Sequence, residues 1–489
     1  MISMGNESKF DKVLGAKDIF VIAFGAMIGW GWVINSGDWI TNAGFLGTIA
    51  AFLIGGAMVF FVGLTYAELT SAMPQCGGEH VFSYKAMGPT GSFICTWAII
   101  LGYAATASFE AAALPTVVKY ILGDGFMKGY MYSVGETPIY ASYVAVGSVV
   151  AIIITYINLR GVQTAAVLQR ILTAIIAIAG ILLIVASTLR GDMPNITTNL
   201  FAEATGGIVT TKSALGGILT VTCMTPFLFV GFDVIPQAAE EINVAYKKIG
   251  GIMLFSIAMA VAWYLLIVFA VAYIMPKDAM AESMANGLVT ADAMARAFGM
   301  DAMANVLIIG GMCGILTSWN SFLLGGSRAL YSMGEARMLP EVFSRLHPKY
   351  KTPTAAIILI GVANFIAPFF GKPVLIWLVD AASFGCCVAY LFVSLSYCIL
   401  RKTQPEMNRP YKVKHGELVG VIAVVLSGIL SMLYIIPLPF ASSALIWQEW
   451  IVVGVWIGLG VIFYFYSKKK YGAEFGRHID VQIDESLLD

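Results

Sequence analysis

Long apolar runs separated by short polar segments recur along nearly the whole chain. Runs such as 151–154 and 421–426 contain only apolar residues, so every face of the chain is apolar there. A transmembrane β-strand would instead alternate apolar and polar residues over about 10 positions. A helix needs about 20 predominantly apolar residues to cross a bilayer, and the pattern therefore predicts transmembrane helices. Twelve are predicted, over residues 21–43, 47–73, 91–119, 138–158, 163–189, 213–240, 249–275, 303–331, 354–371, 374–400, 416–438 and 447–467.

Two of these helices carry residues that interrupt helical geometry. The first contains Gly25, Gly29 and Gly31, and the sixth contains Pro226 and Gly231. Glycine accepts backbone angles that break a helix, and proline removes an N–H donor. The two helices are five apart, which is typical of transporters built from inverted five-helix repeats with a binding site at the broken helices. The alternative is that the glycines only allow close helix packing.

The composition supports an integral membrane protein. Hydrophobic residues make up 59% of the chain and charged residues 12%, whereas about a quarter of a soluble domain is charged. The first 20 residues are polar and lack the apolar core of a signal peptide. The longest predicted soluble segment is 276–302, so no separate domain is expected outside the membrane.

The distribution of basic residues predicts the orientation. Short cytoplasmic loops carry an excess of Lys and Arg. If both termini are cytoplasmic, most of the 29 Lys and Arg residues lie inside. The basic residues left outside are Lys119, Lys128, Arg190, Lys212, Lys277, Arg296 and Lys372. We therefore expect a multi-pass protein of the cell membrane with both termini in the cytoplasm.

The sequence gives no sign of a cofactor or a metal site. The seven cysteines contain no Cys-x-x-Cys pair and are expected to be small packing residues. The expected partners are a small-molecule substrate and the lipid bilayer, with no nucleic acid. The last two predicted helices could support a homodimer.

Several motifs, taken in order, resemble the amino acid, polyamine and organocation permease superfamily. Residues Gly25 to Gly31 are similar to its Gly-Ser/Ala-x-Ile-Gly-x-Gly motif in the first helix. The resemblance extends from residue 20 to about residue 415. The other matching segments are Tyr66 to Leu69, Met73 to Glu79, Gly231 to Asp233, Ala239 to Glu241, Ser327 to Tyr331, Leu339-Pro340, His347, Thr352-Pro353 and Arg409 to Tyr411.

The resemblance implies a leucine-transporter-like fold that works by alternating access. That fold is all-α and has twelve helices, with discontinuous helices 1 and 6. Residues 1–20 would be a cytoplasmic segment and 468–489 a cytoplasmic tail. Helices 1–5 (21–189) and helices 6–10 (213–402) would form the inverted repeats, and the two helices of 416–467 would be peripheral.

The resemblance also implies a substrate site. The carboxylate or an equivalent polar group would meet backbone amides around Ile28, Gly29, Trp30 and Gly31. An amine would meet carbonyls of helix six between Phe227 and Gly231, including that of Phe229. Tyr103, Thr106 and Phe322 fall where family members line the pocket.

A coupling ion, Na⁺ or H⁺, is the one further ligand expected. In sodium-coupled relatives, carbonyls near Gly25 and Ile28 join hydroxyls of helix eight, which here are those of Thr317, Ser318 or Ser321. These hydroxyls could equally cap backbone carbonyls. Some proton-linked members place a lysine in helix five, where this chain has Ile176.

Five acids lie within the predicted spans, and ionisable residues inside a membrane suggest function. They are Asp38, Glu68, Glu110, Asp233 and Asp380. Asp233, at the break in helix six, is assigned to the substrate site, and Asp38, Glu110 and Asp380 are candidates for binding a cation or for gating. No Lys or Arg at a span centre is available as their partner. With aromatic neighbours, these acids could attract a cationic substrate or a coupling cation. The alternative is that they are protonated or hydrogen-bonded to neighbouring helices, which is the expectation for Glu68.

The leading hypothesis is a secondary active transporter for a small amino acid or amine, run as cation symport or as exchange. A channel-like or substrate-sensing protein on the same scaffold is the alternative. A membrane enzyme would need a polar catalytic cluster, and no histidine lies in any predicted span.

Overall fold

A computed structural model describes residues 9–135, 137–204, 208–286, 288–438, 444–477 and 484–487. These residues are mostly helical. The α-helices are α1 (Ala16–Met27), α2 (Gly31–Ala72), α3 (Glu79–Leu122), α4 (Ala141–Leu159), α5 (Val162–Arg190), α6 (Met193–Thr197), α7 (Thr211–Phe229), α8 (Val234–Gln237), α9 (Tyr246–Ile274), α10 (Lys277–Asn286), α11 (Val289–Phe298), α12 (Ala302–Glu335), α13 (Thr354–Ile366), α14 (Gly371–Thr403), α15 (Gly416–Ile435) and α16 (Trp447–Tyr471).

Ten helical segments of the described chain are long and apolar enough to cross a membrane. They are Gly31–Ala72, Glu79–Leu122, Ala141–Leu159, Val162–Arg190, Thr211–Gln237, Tyr246–Ile274, Ala302–Glu335, Ile376–Thr403, Gly416–Ile435 and Trp447–Glu474. A shorter apolar segment, Thr354–Phe369, lies between the seventh and eighth of them. The expectation of an all-helical multi-pass membrane protein is confirmed at this level.

Two glycines divide the longest helices. Gly44 in α2 has φ 71° and Gly88 in α3 has φ 73°, which only glycine adopts without strain. The backbone of Phe201 lies so close to Gly44 that an added Cβ would be 2.5 Å from the Phe201 Cα. The predicted first span, 21–43, therefore consists of α1 and the first part of α2.

Some elements were not predicted. Residues 276–302, expected to be a loop, contain α10 and α11. Two antiparallel hairpins connect helices, β1 (Tyr130–Val134) with β2 (Thr137–Tyr140), and β3 (Glu203–Ala204) with β4 (Ile208–Val209).

The third helix begins well before its predicted start at residue 91. Since α3 starts at Glu79, it includes His80, which is buried and bonded to the Ser92 hydroxyl at 2.9 Å. The statement that no histidine lies in a span thus holds for the predicted bounds and not for the helix itself.

The helices pack around an aromatic and aliphatic core. α3 packs against α12 and α14, α2 against α7 and α9, and α1 against α5, α9 and α12. Broad apolar faces of α5, α15 and α16 are exposed, as at Val185, Ile429 and Ile462. In a multi-pass membrane protein, exposed apolar faces of this kind are expected to contact lipid.

Candidate functional site

The first helix is interrupted between α1 and α2. The Ile28 N–H donates to the Phe24 carbonyl at 3.0 Å, which completes the last turn of α1. Helix α2 then starts at Gly31, with the Val33 N–H donating to the Trp30 carbonyl at 2.9 Å. Between them, the N–H groups of Gly29 and Trp30 make no hydrogen bond of normal geometry to a described residue. Free N–H groups at the start of a helix favour an anion.

The sixth helix is interrupted between α7 and α8. The Gly231 N–H, which would bond the Phe227 carbonyl in a continuous helix, donates instead to Asp233 Oδ1 at 2.7 Å. Gly231 has φ 140°, outside the range of other residues. The Phe227 carbonyl consequently accepts no hydrogen bond from a described residue. A free carbonyl in a buried setting favours a cation or an N–H donor.

The two interruptions face each other. A Cβ added to Gly231 would lie 2.5 Å from the Ala26 Cβ and 3.1 Å from the Met27 nitrogen, and one added to Gly31 would lie 2.6 Å from Leu228 Cδ2. The hydroxyl of Tyr264 donates to the carbonyls of Met27, at 2.6 Å, and Leu228, at 3.2 Å. Tyr264 thus links the ends of α1 and α7 directly.

Aromatic side chains surround this junction. The Trp32 Nε1–H donates to the Ile28 carbonyl at 3.2 Å, and the Trp30 ring packs on Gly311. Phe229 packs edge-on against Tyr264, with ring centroids 5.5 Å apart.

Three further side chains predicted to line the pocket lie on α3 and α12. The rings of Tyr103 and Phe322 stack with centroids 6.0 Å apart. The Thr106 hydroxyl donates to the Gly102 carbonyl of its own helix at 2.7 Å. The Phe227 ring makes an edge contact with Phe109, at 6.1 Å.

A buried carboxyl lies directly behind the first interruption. Glu110 of α3 is 3% exposed and accepts a hydrogen bond from the Ser318 hydroxyl of α12. Its other oxygen, Oε2, has no hydrogen-bond partner among the described residues. A Cβ added to Gly29 would lie 3.0 Å from Ser318 Oγ and 3.4 Å from Glu110 Oε1. The acid therefore lies beside Gly29, one of the two residues whose N–H groups are free.

Two other hydroxyls of α12 cap carbonyls of α1. Thr317 donates to the Gly25 carbonyl at 2.9 Å and Ser321 donates to the Ile22 carbonyl at 3.1 Å. This is the carbonyl-capping arrangement that the sequence analysis gave as an alternative. It does not exclude that the same oxygens bind an ion, because each retains a lone pair.

A chain of buried amides, which the sequence analysis missed, supports α1. Asn158 donates to Asn320 Oδ1 at 2.9 Å, Asn320 donates to Gln169 Oε1 at 2.9 Å, and Gln169 donates to the Val21 carbonyl at 3.3 Å. These residues come from α4, α12 and α5. The sequence could have indicated this chain, because the three amide side chains lie inside apolar helices and a buried amide must find hydrogen-bond partners.

The other predicted acids have different surroundings. Asp233 bonds the Gly231 N–H and lies 3.4 Å from the Tyr390 hydroxyl, at the second interruption. Asp380 lies beside Glu449 of α16. Asp38 lies in the first part of α2. The two residues before it in the chain, Ser36 and Gly37, contact α11. The structure brings Glu110 and Asp233 to the interruptions and places Asp38 and Asp380 at other helix contacts.

Glu68 has basic partners that the sequence analysis did not identify. Arg401 Nε and Arg409 Nε lie 3.0 Å and 3.1 Å from its Oε1, and the Val413 N–H donates to its Oε2 at 2.8 Å. Both arginines lie between the predicted spans 374–400 and 416–438, so neither was expected to contact a residue within a span. The expectation that Glu68 is held by its neighbours agrees with these contacts.

A second buried ion pair attaches the segment that follows α8 to α12. Arg328 of α12 and Glu241 are 2.8 Å apart, and their side chains are 1% and 3% exposed. The Glu241 carbonyl accepts from the Leu14 N–H at 2.9 Å. The segment before α1 is thereby attached to the segment after α8, on one side of both interruptions.

The amino acid sequence matches a known family over most of its length. Residues 14–462 fit the model of the family described as amino acid permease. The chain belongs to this family. The permease resembles the branched-chain amino acid permease BcaP of Bacillus subtilis (strain 168), at 24% identity over 479 residues, 95% of each chain.

Two other relatives differ from BcaP in what their names say they carry. The methylthioribose transporter of Bacillus subtilis (strain 168) is 24% identical over 466 residues, 94% of each chain. The lysine-specific permease LysP of Lactococcus lactis subsp. cremoris (strain MG1363) is 22% identical over 483 residues, 95% of this permease and 91% of LysP. The permease is a multi-pass membrane transporter and not an enzyme.

Proposed function

We propose that this permease is a secondary active transporter that carries a small amino acid across the cell membrane by alternating access. The observation that carries the proposal is the pair of facing interruptions with free backbone groups of opposite polarity. The substrate carboxylate binds the N–H groups of Gly29 and Trp30, and the ammonium group binds the Phe227 carbonyl. Backbone groups recognise the part that all amino acids share.

The proposed topology has twelve membrane crossings. The ten long helical segments become eleven because α2 divides at Gly44 into parts of two crossings, whereas the part of α3 before Gly88 is too short to cross a bilayer. The shorter Thr354–Phe369 segment adds the twelfth. Helices 1–5 (21–189) and 6–10 (213–402) form the inverted repeats, and the broken first and sixth helices occupy equivalent positions in them. Residues 416–467 form the peripheral pair, which supports a homodimer. Segments 1–20 and 468–489 are cytoplasmic, following the excess of basic residues on that side.

The proposed driving ion is the proton, carried by Glu110. An ionised Glu110 would stand close to the bound substrate carboxylate. Two unit charges of the same sign roughly 5 Å apart repel by about 3 kcal/mol at an effective dielectric constant of about 20, or about two orders of magnitude in affinity. The substrate therefore binds when Glu110 is protonated, and the two move together. Proton coupling through Glu110 does not require the helix-five lysine of some proton-linked members, in whose place this chain has Ile176.

The test is uptake of radiolabelled amino acids by the purified permease in liposomes. A pH gradient, a Na⁺ gradient and a gradient of counter-substrate are imposed separately. The proposal expects accumulation driven by the pH gradient. Accumulation driven only by Na⁺ would favour the oxygens of Thr317, Ser318 and Ser321 as the coupling site. Binding without flux under any gradient would indicate a sensor.

Two variants locate the coupling residue. Glu110→Gln removes the ionisable group but keeps its size, so we expect exchange to persist while the pH gradient no longer drives accumulation. Asp380→Asn removes an acid beside Glu449, on a different pair of helices, and should retain coupling. Unchanged proton-driven accumulation by Glu110→Gln would refute the assignment of the coupling residue and leave the transport proposal standing.

A further inference from the structure

An open surface cavity of about 620 Å³ lies between the end of α14 and the start of α15, apart from the substrate site. The proposed function assigns it no role. The cavity is lined by Arg401, Lys412, Val413, Lys414, His415, Gly416, Glu417 and Leu418.

The floor of the cavity is held in place by buried contacts. The Arg401 guanidinium donates to both oxygens of Glu68, at 3.0 Å and 2.5 Å, and to the Val413 carbonyl at 3.0 Å. The same guanidinium packs on Gly416, where an added Cβ would collide with it. Because Glu68 also binds the Val413 N–H, residues 412–416 are fixed to α2 and α14. The site is thus formed before any ligand arrives.

The charge of the rim is positive. Lys412 and Lys414 are exposed, and within the described chain neither forms an ion pair. Glu417 is the one acid that lines the cavity. The first residues of α15, 416–418, also line the cavity, and the positive end of the helix dipole adds to the attraction for an anion. The rim therefore favours a negatively charged group, with two free lysines as the principal contacts.

Apolar surface continues from the cavity along α15. Leu418 at its edge is 62% exposed, and Val421 and Val425 further along the helix are 56% and 50% exposed. A ligand that places a negative group between the lysines can therefore lay an apolar chain on α15. That combination is the chemistry of an anionic phospholipid.

We propose that this cavity, the 412–418 site, binds the headgroup of an anionic phospholipid whose acyl chains lie along α15. In the orientation proposed above the lipid belongs to the cytoplasmic leaflet, which is rich in anionic lipids. The phosphate contacts Lys412 and Lys414, and Glu68 acts as a positioning residue through Arg401. Binding of the lipid does not require transport, so it can be tested even if the substrate assignment fails.

The experiment is native mass spectrometry of the full-length permease titrated with phosphatidylglycerol, phosphatidylcholine or inorganic phosphate. The test variant is Lys412→Gln/Lys414→Gln. The control is Lys128→Gln/Lys212→Gln, which removes two exposed lysines that the proposed topology places on the opposite side of the membrane. All four side chains are exposed, so both variants should fold.

We expect phosphatidylglycerol to bind in preference to phosphatidylcholine. An exposed lysine near an anionic lipid surface contributes about fivefold in affinity, so the test variant should lose at least about tenfold and the control less than about twofold. Equal losses in both variants, or equal affinity for the two lipids, would overturn the proposal. Binding of inorganic phosphate as tightly as phosphatidylglycerol would also overturn it, and would indicate a site for free anions.

Discussion

The substitution Gly231→Ala tests whether the close contact between the two interruptions is essential. Gly231 has φ 140°, and a residue other than glycine held there costs about 1–3 kcal/mol. The new Cβ would lie 2.5 Å from the Ala26 Cβ, where ordinary contacts begin at 3.4 Å. The added crowding costs a further ~1–3 kcal/mol. Relief of the contact requires α1 and the second interruption to separate by about 1 Å.

That separation should weaken substrate binding as well as stability. A hydrogen bond of about 2.9 Å stretched by about 1 Å is lost, and a hydrogen bond to a charged group is worth about 1.5–3 kcal/mol. We therefore expect the dissociation constant of the transported amino acid to rise by about 10- to 100-fold. The assays are equilibrium binding of the radiolabelled substrate and thermal unfolding followed by intrinsic fluorescence.

The matched control is Gly251→Ala in α9. Apart from its chain neighbours and its own helix backbone, no described atom lies within 4 Å of the position that its Cβ would take. Alanine favours a helix by about 1 kcal/mol over glycine. This variant should keep the wild-type affinity and an equal or higher melting temperature. Wild-type affinity and melting temperature in Gly231→Ala would refute the geometry described for the two interruptions.

Two further contacts make separate predictions. Tyr264→Phe removes the hydroxyl whose single proton joins the carbonyls of Met27 and Leu228, a contact worth about 1 kcal/mol. The substrate dissociation constant should therefore rise about fivefold in the binding assay; an unchanged value would contradict this role. Arg328→Gln leaves Glu241 buried without its cation and should destabilise the permease by about 3–5 kcal/mol. The double substitution Arg328→Gln/Glu241→Gln should recover part of that loss in thermal unfolding, and an additive loss would argue against the pair.

The interruptions could be predicted because they depend on local chemistry. Gly29, Gly31, Pro226 and Gly231 disfavour continuous helix whatever surrounds them, and the structure ends α1 and α7 within those segments. The spacing of the two segments also predicted that they are related. The spacing could not predict the direct contact of Gly231 with Ala26, because that contact depends on how whole helices pack.

The polar contacts between helices could not be predicted from the sequence. Arg328 and Glu241 are 87 positions apart and meet through the packing of α12. The amides of Asn158, Asn320 and Gln169 come from three helices, and nothing in their spacing pairs them. Likewise, nothing in the sequence distinguishes Glu110 from Asp38 and Asp380, the other two acids in the outer halves of predicted spans. The position of Glu110 behind Gly29 became apparent only when α3, α12 and the first interruption were placed together.

The central claim is that the two interruptions hold an amino acid by its carboxylate and its ammonium group. The most direct measurement is competition against uptake in liposomes by three compounds: the transported amino acid, its carboxamide and its desamino analogue. We predict that each analogue competes at least about tenfold more weakly, because each leaves one set of backbone groups without a charged partner. Equal competition by all three compounds would contradict the account, since the substrate would then be held by its side chain alone.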